Sequence, residues 1–321
     1  MTVYKTLQGY RIKYLSSDPS NFKEGEIWYN STAKKIKVAA EVTAWAAGEN
    51  MTTAREGIGG LGIQTAAVAA GGETSTAVAT TEEYDGTDWT SGGNLNTGRR
   101  ILGGAGTLTA GLVFSGFPAL TNAEEYDGTS WTDGGTLNTG RYGARGSGVQ
   151  TAALAMGGGP GVKDNAESYN GSAWTAETAM NTARVTGMGA GATADASLIT
   201  GGYTQSPPTT STGNTESWNG SSWTEVANLN SARYDGAGDG TSTAAIIFGG
   251  SISPGPGRTV NTEVWDGSSW AETANMATAR MSLGAGGTTA AAVGFGGSTP
   301  PISNLTEEFT QAAAVRSVDV S

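Results

Sequence analysis

The sequence predicts an all-β fold, a ring of six four-stranded blades around a central axis (a β-propeller), and three periodic markers carry that prediction. Tryptophan recurs at Trp45, Trp89, Trp131, Trp174, Trp223 and Trp270, in steps of 44, 42, 43, 49 and 47 residues. Ten residues after each comes an arginine: Arg55, Arg99, Arg141, Arg184, Arg233 and Arg280. A small pair then follows 16 residues on (17 in the fourth unit), from Gly71-Gly72 through Ser115-Gly116 to Gly296-Gly297. Self-similarity at about 40–50 residues marks stacked supersecondary units, and four short strands per unit make a propeller blade.

The elements of each unit follow in order. The first strand opens after the Arg and carries a glycine column five residues on: Gly60, Gly104, Gly146, Gly189 and Gly238, with Ala285 in the sixth unit. A second column, seven residues on, is glycine throughout. Spacing of two puts both on one face, where glycine implies backbones too close for a Cβ, as around a propeller axis. The second strand is apolar and ends at the small pair, as in TAAIIFGG. The third carries Glu82, Glu124, Glu167, Glu216, Glu263 or Glu307 with an aromatic two residues later. The fourth carries the Trp, and Asp-Gly or Asn-Gly joins it to the third (YDGTDW, WNGSSW), a dipeptide that favours the positive φ of tight hairpins.

The ends fit a ring. Trp45 has Val38 rather than Glu seven residues before it, and Glu307 has Ala314 rather than Trp seven residues after. An orphan fourth strand at the start and orphan first to third strands at the end together complete the last blade, so the N-terminal strand is expected to close the ring and remove exposed sheet edges. The predicted organisation is an N-terminal attachment segment (1–42), a propeller (43–309) and a C-terminal tail (310–321). Within the first, GEIWYNSTAKKIKV (25–38) reads as a β-hairpin turning at Asn30-Ser31-Thr32, preceded by a DPSN turn. The tail is expected either to add a strand to this leader or to stay disordered.

The double glycine, Tyr, Trp and Arg of each unit resemble the kelch repeat over residues 43–309, in a compact version with a Tyr-to-Trp spacing of five. The leader YLSSDPSNFKEGEIWYNSTAKKIKV, followed by repeats containing NLNTGR, looks like kelch-like virion proteins of marine tailed bacteriophages. That resemblance implies a non-enzymatic structural protein: a tail fibre, a tail-associated protein or a capsid-decorating propeller. It would be assembled in the host cytoplasm, attached to other virion proteins through its N-terminal segment, and able to form homo-oligomers. The other readings are a kelch propeller for protein interaction outside viruses and a sialidase-like glycosidase.

Composition narrows the chemistry. The chain contains no His and no Cys, which removes the commonest metal ligand, the commonest neutral-pH base and any disulfide, so neither metal nor cofactor is expected. Copper radical oxidases, which resemble kelch propellers, need His ligands and a Tyr–Cys crosslink. There is no run of the ~18 apolar residues a membrane span needs and no secretory h-region, so membrane insertion is not expected and folding in a cytosol is. Net charge is −11: residues 1–40 hold seven basic and three acidic side chains (+4), and 41–321 hold 11 and 26 (−15), which disfavours nucleic acid as a partner of the body.

Once-per-unit Arg and Glu are expected to form a repeated ion pair or hydrogen-bond ladder; the alternative is an Arg cluster that grips a carboxylate, as in sialidases. DGTSW (127–131) lacks the sialidase Asp-x-Gly spacing, and the adjacent pairs Glu82-Glu83 and Glu124-Glu125 face opposite sides of a strand. Departures from the repeat are stronger candidates for binding. Arg145 and Asp239 stand in Gly-rich first strands, where they would line the channel or a ligand pocket. Connections between second and third strands vary from seven to thirteen residues, and the two longest, 203–215 and 251–262, contain Tyr203, Gln205 and Arg258. These loops are expected to form one raised patch for a host glycan or receptor, because a rigid scaffold commonly presents its binding residues on such loops.

Overall fold

The structure, a computed structural model, describes residues 3–7, 10–204, 210–255 and 257–318. Among them it is all-β, with no helix and seven sheets, most of them four-stranded and antiparallel. The chain divides into two compact units, one running from Trp45 to Phe309 and the other formed by the described residues up to Ala44 and from Thr310 onward.

The larger unit is a β-propeller of about six blades. Five of its sheets are complete in sequence order, with inner strands Gly59–Ile63, Gly103–Thr107, Arg145–Val149, Met188–Thr193 and Ala237–Thr241. The sixth inner strand, Gly284–Gly287, is followed outward by Ala291–Phe295, the start of Thr306–Val318 and the end of Lys35–Ala47. Repeats are numbered below by these inner strands. Each inner strand packs against the next, and Gly284–Gly287 packs against Gly59–Ile63. A Cβ on Gly146 would stand 2.2 Å from the Gly104 carbonyl oxygen, and one on Gly104 2.6 Å from that of Gly60. The glycine column therefore meets the crowding that its spacing predicts.

Hydrophobic layers lie between neighbouring sheets. The second strands supply fully buried residues such as Val68, Leu112, Val113, Ile246 and Phe248, and each Trp covers a layer from outside. Four indoles donate to a threonine of the preceding repeat: Trp89 to Thr306, Trp131 to Thr81, Trp270 to Thr215 and Trp45 to Thr262, at 2.9–3.3 Å. Where that threonine is Ala123 or Ala166, Trp174 and Trp223 turn to the carbonyls of Gly135 and Thr178 instead. At the start of the propeller unit the Gly48 N–H donates to the Thr306 carbonyl at 3.0 Å, and the Trp45 ring meets Phe248 edge-on at 4.8 Å.

In the smaller unit, Ile27–Asn30 pairs antiparallel with Lys35–Ala47, from Ile27 opposite Val38 to Asn30 opposite Lys35. The turn is Ser31–Lys34, one residue later than the sequence suggests, with Lys34 at φ 53° and the Asn30 side chain accepting from the Ala33 N–H. Tyr10–Leu15 runs parallel to Ile27–Asn30, and the rings of Tyr14 and Tyr29 stack at 5.0 Å. Asp18, from the DPSN turn, accepts from Asn30 and the buried Trp28 indole, both at 2.8 Å, and these bonds hold its carboxyl below the usual range. The tail is ordered strand up to Val318, with Lys37 bonded to Ser317 at 2.9 Å.

Candidate functional site

The six periodic arginines are fully buried, and each meets the glutamate of the following repeat at 2.6–3.1 Å: Arg55–Glu82, Arg99–Glu124, Arg141–Glu167, Arg184–Glu216, Arg233–Glu263 and Arg280–Glu307. Arg184 also donates to the carbonyls of Gly201 and Asn214, while Glu216 accepts the backbone N–H groups of Asn181 and Thr182. Each pair thus ties an inter-blade connection to the third strand of the next sheet. Burial lowers the Arg184 pKa and Glu216 opposes that shift, so the charge is retained. The second carboxylates of the paired glutamates face the neighbouring sheet. Glu83 accepts from the Tyr126 hydroxyl, and Glu125 from that of Tyr169 at 2.5 Å.

Two residues after each arginine, the backbone takes left-handed φ values of 48–65°, at Gly57, Ile101, Gly143, Thr186, Asp235 and Ser282. Each of these donates its N–H to the carbonyl of its predecessor at 2.8–2.9 Å, and Gly57 donates to Ser282, so the six form a closed ring of hydrogen bonds around the axis. Left-handed φ is costly for a β-branched residue such as Ile101 or Thr186, and the ring bonds offset that strain. The Thr186 Oγ1 is buried without a hydrogen-bond partner among the described residues.

Arg145 reaches across this ring. Its Nε donates to the Gly187 carbonyl at 2.6 Å and its Nη2 to Asp235 at 3.1 Å, and Asp235 also accepts from the Ser282 hydroxyl. Arg145 is therefore a paired charge that links repeats three to six. Sequence reasoning missed its partner because Asp235 lies 90 residues away. Arg145 lines one axial chamber of about 50 Å³. Asp239 lines a second of about 70 Å³, and the two share a waist of Gly60, Gly104, Gly146, Gly189, Gly238 and Ala285. Asp239 accepts from the N–H groups of Gly240 and Gly287, yet burial among inner strands pushes its carboxyl up to about 7. Chambers of this size hold a few waters and fall well short of the ~300 Å³ of a ligand pocket. Among the described residues no group of three His, Cys, Asp or Glu could hold a metal ion.

The long loops and the connections into the inner strands share one rim: isolated bridges join Arg100 to Phe117, Tyr142 to Gly159, Val185 to Tyr203 and Tyr234 to Ser251. Four partly exposed rings lie along one side of this rim. Phe117 meets Tyr142 edge-on at 5.5 Å, and Tyr203 meets Tyr234 edge-on at 5.7 Å. The Thr186 N–H bond to the Gly143 carbonyl sets the Val185–Tyr203 bridge beside the Tyr142–Gly159 bridge, and burial raises the Tyr203 pKa. Arg100 sits 4.5 Å above the Phe117 ring and pairs with Glu73. At the equivalent positions of the two remaining repeats stand Glu56 with Glu73, and Met281 with Ser298.

Of the predicted loop residues, Tyr203 belongs to this aromatic side, and Gln205 lies outside the described residues. Arg258 bends to the next repeat, donating to the carbonyl and hydroxyl of Ser298 at 2.8 and 3.0 Å. The two long loops touch each other through Ser211 and Ser253. The residues missed from sequence are Phe117, Tyr142 and Tyr234; the signal was an aromatic next to a small pair or a periodic Arg.

No protein-family model matches the chain, and neither does any curated protein. Among solved structures, the one titled "Structure of YjhT" resembles it with a TM-score of 0.67 and 12% identity, over 83% of this chain and 99% of that one. At that identity the likeness shows the fold alone.

Proposed function

We propose that this chain is a non-enzymatic virion protein of a tailed bacteriophage: a kelch-like six-bladed propeller, closed by its N-terminal strand, that presents its loop-bearing rim to a host-surface receptor. The observation that carries the binding role is the asymmetry of the rim, where a sixfold repeat places aromatic rings on one side only. A periodic scaffold has no structural need for that asymmetry, and partly exposed rings clustered on a loop-bearing face suit recognition. The virion assignment rests on the leader and the repeats occurring together. That the described residues up to Ala44 and from Thr310 onward form a compact unit of their own supports attachment to other virion proteins through it.

Two observations support a binding rather than a catalytic role. The axial chambers are too small for a sugar ring. The adjacent glutamates are committed in opposite directions, Glu82 to Arg55 and Glu83 to Tyr126. Mass spectrometry of density-purified particles tests the proposal. The protein should be present in stoichiometric amount, and its confinement to the soluble fraction of lysed cells would overturn the virion role.

A further inference from the structure

We propose that the ligand of this rim is a neutral saccharide chain, laid across Phe117, Tyr142, Tyr203 and Tyr234 over the mouth of the axial channel. The inference rests on the rim being the binding face, and it names the chemistry that face accepts.

The four rings offer apolar faces and edges, and the three phenols add hydroxyls that both donate and accept, the combination that sugar rings with apolar faces and equatorial hydroxyls require. Gly159 leaves room for one ring to lie flat, since a Cβ there would stand 2.8 Å from the Tyr142 ring. The arginines on this rim are already bonded, Arg100 to Glu73, Arg145 to Asp235 and Arg258 to the carbonyl and hydroxyl of Ser298. An acidic sugar would have to break one of these bonds to set its carboxylate against an arginine. The body's charge of −15 over residues 41–321 (11 basic and 26 acidic side chains) repels acidic glycans as well. The chamber below, about 50 Å³, does not admit a pyranose, so the chain lies across the mouth rather than entering it.

The test is titration calorimetry of the full chain with neutral gluco-, manno- and galacto-configured hexasaccharides, and with acidic hexasaccharides of galacturonate. At least one neutral probe should bind. Tyr142→Ala and Tyr203→Ala should each weaken it about tenfold without changing the melting temperature, and Tyr203→Phe should retain most of the affinity. Binding of the acidic probe alone, affinity unchanged in both alanine variants, or no binding by any probe would overturn the inference. A particle-borne protein that binds none of the probes removes the saccharide and leaves the virion role standing; a saccharide-binding protein absent from particles does the reverse.

Discussion

The Tyr84 hydroxyl donates to the Glu308 carboxylate at 2.8 Å, joining the first repeat to the last. The same contact joins Tyr126 to Glu83 and Tyr169 to Glu125. Where the preceding repeat has Ser168, Ser217 or Val264 in place of the glutamate, the aromatic is Trp218, Trp265 or Phe309, none of which carries a hydroxyl to satisfy. Tyr84→Phe should therefore cost about 1.5–3 kcal/mol, the scale of a hydrogen bond to a charged group. Burial and Glu125 raise the Tyr169 pKa from 10.0 to about 12, so the neutral phenol's contribution is complete below pH 10 and lost as pH rises through about 12. Urea melts from pH 9 to 12 should show that decline in the native chain, and a weaker one in Tyr169→Phe.

Arg184→Ala should destabilise the propeller by about 3–5 kcal/mol, because Glu216 would be left buried and unpaired. Guanidinium melts measure the loss. Saccharide or receptor affinity, measured below the transition, should not change; a selective loss of binding at unchanged stability would assign the periodic arginines a recognition role.

A chain starting at Met51 lacks Trp45, whose indole donates to Thr262 at 3.1 Å and whose ring lies 5.5 Å from Phe309. Loss of one such Trp costs about 3–5 kcal/mol, or roughly 10 °C in a domain of this size. A chain starting at Thr43 keeps that strand and should melt close to the full chain. Equal melting of the two truncations would refute closure by residues 43–48.

Asp239 gives a pH dependence of its own. Its carboxyl is raised from 3.8 to about 7, so the stability contributed by the protonated form is complete below pH 3.8 and lost as pH rises through about 7. Asp239→Asn cannot ionise. Relative to the native chain it should gain stability between pH 5 and pH 7.5, read as a shift in urea midpoint, and an identical pH profile in both proteins would disprove the assignment.

Replacing residues 203–214 and 251–261 with the short connection 117–122, with Ser in place of its leading Phe so that the ring at Tyr203 is lost, should leave the propeller folded and abolish adsorption to host cells. Thr215 and Thr262 are kept because they accept the Trp270 and Trp45 indoles. Circular dichroism checks the fold and a plate adsorption assay the function; normal adsorption would place the receptor site elsewhere.

Much of this protein was determined by periodicity within one unit. The four strands of a unit and the Asp-Gly hairpins depend on neighbours within about ten residues, and the crowded glycine column, though it meets the adjacent repeat, recurs at the same offset from every Arg, so a one-dimensional pattern suffices to predict them. The pairing of Tyr84 with Glu308 left a trace too, in the aromatic that changes when the preceding glutamate is absent. What only the tertiary structure decided lies between repeats: Arg145 with Asp235, the hydrogen-bonded ring from Gly57 to Ser282, and the rings of Phe117, Tyr142, Tyr203 and Tyr234. Those contacts join residues tens of positions apart, and their geometry follows from how one sheet is rotated against the next. That rotation comes from packing among buried side chains, which no spacing within a single repeat records.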